Sequence, residues 1–140
     1  MSIAIPSQAS DRVQGFFRRL CEECDFRVIN SSFSPESFGN IQAVASNQLY
    51  DVDYRFDRGD ESLYVVVDDR DYLVTDAMRL LEGKASDGVS IATEENWLLV
   101  NAKKLGKLLS NDERARSIES FENMRIERLH RMLPGAIAES

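Results

Sequence analysis

The chain has little of what marks either an enzyme or a secreted framework. It carries one histidine and two cysteines in 140 residues, with only three prolines and seven glycines. A single close pair of thiols, Cys21 and Cys24, cannot build the disulfide lattice of a small secreted protein, so both are expected to be reduced. The scarcity of proline and glycine argues against extensive disorder. Neither GxxxxGK[ST] nor GxGxxG occurs, which leaves nucleotide phosphates without a glycine-rich cradle. The longest apolar runs, residues 63–67 and 97–100, fall far short of the roughly 20 residues that cross a bilayer. Residues 1–9 lack the basic and apolar regions of a secretory signal, so the cytoplasm is the expected compartment and no membrane association is expected.

What is present suits one folded domain. A hydrophobic share of 43% beside a charged share of 29% is ordinary for a globular protein, and the length fits one hydrophobic core, so residues 1–140 are expected to form a single domain. The net charge of −7 is unevenly spread. Residues 51–76 hold three bases against nine acids, whereas residues 77–140 hold ten of each. That central segment would repel a phosphate backbone and attract a basic partner, so direct nucleic-acid binding is not expected.

The hydrophobic pattern predicts an α+β fold with an N-terminal helix, an antiparallel meander of three to four strands and a helical C-terminal half. Ser7 or Ser10 can cap a first helix that runs to about Cys24, with Val13, Phe16, Phe17, Leu20 and Cys24 at helical spacing. Strands are expected at residues 26–29, 41–45 and 49–56, with a turn-rich stretch at 30–37. The clearest alternation sets Tyr50, Val52, Tyr54 and Phe56 against Asp51, Asp53, Arg55 and Asp57, which predicts a strand with a buried apolar face and a solvated acidic one. Arg58-Gly59 then offers a tight turn into a partner strand at 63–67. Further on, Tyr72, Val74, Ala77, Met78, Leu80 and Leu81 suit a helix ending near Gly83, and residues 89–93 a short strand or an irregular link. Two more helices are expected: one opening at Thr93-Glu94-Glu95-Asn96 with Leu98, Ala102, Leu105 and Leu109 as its stripe, and one from Asn111-Asp112 through Leu133, closed by Pro134-Gly135.

Each candidate for chemistry has a plainer reading. Cys21 and Cys24 have CxxC spacing, but zinc needs about four ligands and a redox pair needs a helix N-terminus to lower its first pKa. Here the pair falls at a helix C-terminal end beside Glu22, Glu23 and Asp25, which favours thiols that pack in the core. His130 has no recognisable triad partner and reads as a surface residue. Asp57-Arg58-Gly59-Asp60 contains an adhesion-like tripeptide whose simpler role is a hairpin turn. The carboxylates Asp51, Asp53, Asp57, Asp60, Glu61, Asp68, Asp69 and Asp71 could hold a hard cation, yet they match no calcium-loop pattern. They are instead the candidate partner-binding residues, because like charges gathered on one sheet face oppose folding. No catalytic, cofactor-binding or metal-ligating residue is assigned, and no cofactor is expected.

Ser37-Phe38-Gly39-Asn40 ahead of a strand, then Asp57-Arg58-Gly59 at a hairpin followed by Leu63-Tyr64-Val65-Val66-Val67, resembles small immunity proteins of bacterial polymorphic-toxin and contact-dependent inhibition systems. The likeness covers roughly residues 10–70, and Asp60-Glu61 stand where related sequences often carry glutamine. It implies a cytoplasmic, non-catalytic antidote that occludes a toxin domain, commonly a basic nuclease. A second expectation, of another class, is a scaffold or accessory protein that self-associates or joins a larger assembly through its C-terminal helices. Ile118, Phe121, Met124, Leu129 and Met132 give that region a broad apolar face.

Overall fold

A computed structural model describes residues 3–83 and 88–132. Helix α1 (Asp11–Cys24) begins where the Ser10 side chain accepts the Val13 N–H, and it ends at Asp25, whose left-handed backbone turns the chain. Its apolar stripe, Val13, Phe16, Phe17, Leu20 and Cys24, is entirely buried, as the spacing predicts. Five strands follow as an uninterrupted antiparallel meander: β1 (Arg27–Ser34), β2 (Asn40–Ser46), β3 (Asp51–Asp57), β4 (Asp60–Val67) and β5 (Arg70–Leu73). Helices α2 (Val74–Glu82), α3 (Ile91–Leu108) and α4 (Arg114–Met132) complete the α+β fold.

All four helices contribute to a core on one face of the sheet. Phe17, Leu20, Ala77, Leu98, Leu105 and Phe121 meet Val52, Tyr54, Leu63, Val65, Val67 and Tyr72 there. Alternation turns Gln42, Val44, Asp51, Asp53, Arg55, Tyr64, Val66 and Asp71 to the other face. Polar tips satisfy themselves at the core margin. The Tyr50 hydroxyl donates to Ala102 O at 2.8 Å, and Trp97 Nε1 donates to Glu82 Oε1 at 2.7 Å.

The meander has five strands because two stretches read differently in place. Residues 30–34, serine-rich and turn-like by composition, extend β1, since Phe33 pairs with Ile41 and packs on the core while the serines face outward or line the edge. Tyr72 lies in β5 rather than in a helix. Its ring faces inward and stacks on Phe121 of α4, with centroids 4.7 Å apart. The Asp68-Asp69 turn before it has both residues in left-handed conformation, the geometry of a two-residue hairpin. Helix α2 starts after that strand and ends at Gly83, whose φ of 77° suits glycine. Residues 91–93 open α3 instead of forming a strand or link, capped by Ser90, whose Oγ accepts the Thr93 N–H at 3.2 Å. Asn111 accepts the Glu113 N–H just ahead of α4, and the expected stop at Leu133 and Pro134-Gly135 lies outside the described residues.

Candidate partner-binding surface

The eight carboxylates do not form one patch. The structure divides them among four places, and only some remain free to meet a partner.

Asp51, Asp53 and Asp71 lie on the helix-free face of the sheet. Asp53 is 5% exposed, not solvated as the alternation predicts. It sits in register between Val44 and Tyr64, and these neighbours shield it. Gln42 Nε2 donates to both of its oxygens, and Arg55 Nη2 donates to Oδ2 at 2.8 Å. The same guanidinium donates to Asp71 Oδ2 at 2.8 Å and lies 4.5 Å from the Tyr64 ring centroid. Burial opposes the charge on Arg55, but the two carboxylates outweigh it and hold its pKa above the ordinary arginine value. This face is therefore a paired polar network within a mixed surface, and less acidic than its sequence implies.

Glu61 belongs to the opposite, helix-packed face. At the hairpin end it accepts from Arg12 of α1 and, at 2.7 Å, from the Tyr54 hydroxyl. Arg12 Nε also donates to Glu95 Oε1 of α3 at 2.9 Å, so one guanidinium fastens two helices to the sheet. Burial works against Glu61, yet its hydrogen bonds from Arg12 and Tyr54 keep its pKa below the usual carboxylate value. Glu95 is more deeply buried, its Oε2 has no hydrogen-bond partner, and desolvation raises its pKa despite Arg12. A cleft of about 290 Å3 opens beside this cluster, between Gln8 and Ser10 on one side and Ile41 and Phe56 on the other. Sequence patterning marked Glu95 only as part of a helix start and did not mark Arg12, because their meeting depends on how the helices cross the sheet.

Asp68 and Asp69 form the β4–β5 turn at the far end, where Asp68 pairs with Arg114 at 2.6 Å. Asp57 and Asp60 flank the Arg58-Gly59 turn and stand directly opposite each other in the ladder. Both are exposed. Two like charges in that position destabilise a hairpin.

The Phe38-Gly39-Asn40 segment meets this hairpin. Asn40 Nδ2 donates to Asp57 Oδ1 at 3.0 Å, while Asn40 Oδ1 accepts the Arg58 N–H at 3.0 Å. The two short motifs are thus one structural unit at one end of the sheet. Phe38, 77% exposed, projects from it with the Arg58 guanidinium 5.7 Å from its ring centroid. Glu36, in the preceding turn, is exposed as well.

No family model, curated protein or solved structure matches the chain. The chemistry of the surface must therefore carry the reading. Among the described residues no three His, Cys, Asp or Glu side chains converge as a metal ion requires, and no helix is long and apolar enough to cross a membrane. Cys24 is buried with its Sγ 3.6 Å from Leu99 O, and burial raises the pKa of both thiols, which disfavours the reactive thiolate. His130 is exposed on α4 between Glu127 and Arg131.

Proposed function

We propose that the chain is an immunity-type protein that binds a cognate bacterial toxin in the cytoplasm, a basic nuclease domain, and neutralises it by occlusion without catalysis of its own. The observation that carries this reading is the pair Asp57 and Asp60, exposed and opposed across the hairpin, with the Asp57 carboxylate held by the Asn40 side chain. Holding like charges together opposes folding, and a basic partner would convert that cost into attraction. Glu36, exposed in the turn just ahead of Asn40, adds to the negative charge at this end of the sheet. Titrating the purified chain against a basic nuclease domain, for which the gene immediately upstream is the first candidate, tests the reading. Cleavage should cease at one equivalent, and undiminished cleavage at excess chain would overturn it.

A second reading rests on α4. Ile126, Leu129 and Met132 are 45%, 36% and 69% exposed along its C-terminal half, which suits a scaffold that self-associates or joins an assembly through this helix. Light scattering distinguishes the two readings. A strict monomer at high concentration, with no partner captured through this helix, sinks the scaffold.

A further inference from the structure

Phe38 combines two features that folding alone does not favour. A large aromatic side chain stands 77% exposed, and its backbone adopts φ 64°, the left-handed region that a bulky residue enters only at a cost. Asparagine or glycine would fit that backbone better, and a polar residue would suit the solvent better. The surroundings nevertheless hold the Phe38 backbone in place. Pro35 opens the short turn Pro35–Ser37 ahead of it, and the Gly39 N–H donates to Ser34 O at 3.1 Å behind it. Asn40 then fastens the segment to the β3–β4 hairpin through Asp57 and Arg58, and the Arg58 guanidinium lies over the ring. An aromatic group that is exposed on a fastened backbone and lies beside a cation has the properties of an interface anchor, because the segment that carries it need not be ordered on binding.

The occupant follows from the rim. Glu36, Asp57 and Asp60 are exposed on the two connected turns that carry Phe38 and Arg58. A complementary surface offers an apolar pocket bordered by basic groups. We propose that Phe38 is the anchor of the partner interface and enters such a pocket on a basic protein domain, an inference that rests on the immunity-type reading above. Apolar burial of the ring then governs how long the complex lasts, while the acidic rim governs how fast it forms.

The test uses the full chain, a basic nuclease domain for which the gene immediately upstream is the first candidate, and surface plasmon resonance at two salt concentrations. Phe38→Ala should raise the dissociation rate on the order of 30-fold or more, with little change in association rate or salt dependence. Phe38→Leu should fall between that variant and the parent. Phe38→Asn supplies a readout that a merely structural role would not produce. It should melt at or above the parent temperature, since asparagine tolerates the left-handed backbone, yet dissociate as fast as Phe38→Ala. If the parent binds and Phe38→Ala dissociates within about twofold of it, the anchor is overturned and the immunity-type reading stands. If the parent itself neither binds nor inhibits this domain, the immunity-type reading fails and the anchor falls with it.

Discussion

Asp53 and Arg55, two residues apart on β3, share the helix-free face of the sheet and are joined at 2.8 Å, with Asp53 almost wholly removed from water. Lysine at position 53 would place a second cation against Arg55 and strand the Gln42 amide. Breaking a fully buried pair typically costs about 3–5 kcal/mol, and the exposure of Arg55 puts this one at or below the lower end of that range. Asp53→Lys should therefore lower the urea midpoint sharply, whereas Asp51→Lys, at a more open site, should stay within about 0.5 kcal/mol of the parent. Equal midpoints for the two variants would show that the Asp53 network contributes nothing.

Periodicity made the first helix and the central hairpin legible. Ser10, the stripe from Val13 to Cys24, and Arg58-Gly59 each act through neighbours in sequence, so local spacing sufficed. Strand β5 was not legible, because Tyr72 followed by Val74, Ala77 and Met78 fits a helical stripe and its strand identity depends on pairing with β4 and stacking on Phe121. The serines of β1 concealed its length for the same reason, since only the pairing of residues 30–34 with β2 makes them strand. The acidic run was legible as charge. Its division among faces and ends was not, because that depends on the register of β3, β4 and β5 and on distant arginines such as Arg12 and Arg114.

Phe121 fastens α4 to the rest of the fold. It is fully buried and stacked on Tyr72, whose hydroxyl reaches Glu122 at 2.8 Å, and Arg128 adds a bond to Asp76 at 2.6 Å. Phe121→Ala removes the ring and leaves a cavity, at a cost of about 3–5 kcal/mol. Hydrogen exchange should then show the amides of α4 losing protection ahead of those in β2 to β4. Uniform loss across the chain would mean that α4 does not open as a unit.

Stability should also depend on pH through Glu94. Burial, and then the charge of neighbouring Glu95, raise its pKa from 4.5 to about 7. An acid whose pKa is higher in the folded state favours folding while protonated, and that contribution is lost as pH rises through about 7. Glu61 acts in the opposite sense: its lowered pKa contributes stability that is lost as pH falls through the acidic range. Glu94→Gln should therefore stabilise the chain by up to about 3 kcal/mol near pH 8 and by little near pH 4. Urea midpoints of both proteins across that range check this, and a constant offset between the two curves would assign the effect to something other than titration of Glu94.

The opposed carboxylates at the hairpin give the sharpest separation of stability from binding. Asp60→Lys replaces a like-charged cross-strand pair with an attractive one, because position 60 faces Asp57 directly. The free chain should gain roughly 0.2–1 kcal/mol in low salt, with Asn40 still holding Asp57 and the Arg58 amide. The same change weakens the field that draws in a basic domain, so association should slow by roughly tenfold at low ionic strength. At higher salt the two association rates should converge as screening shortens the reach of the lost charge. Dissociation should change far less than it does on truncating Phe38, because an exposed rim charge acts mainly during approach. A variant that is more stable yet slower to bind would show that Asp57 and Asp60 are kept together for the encounter. A variant that associates as fast as the parent at low salt would remove these carboxylates from the binding surface and leave exposed Asp69 and Glu36, with half-buried Asp51, as the next candidates.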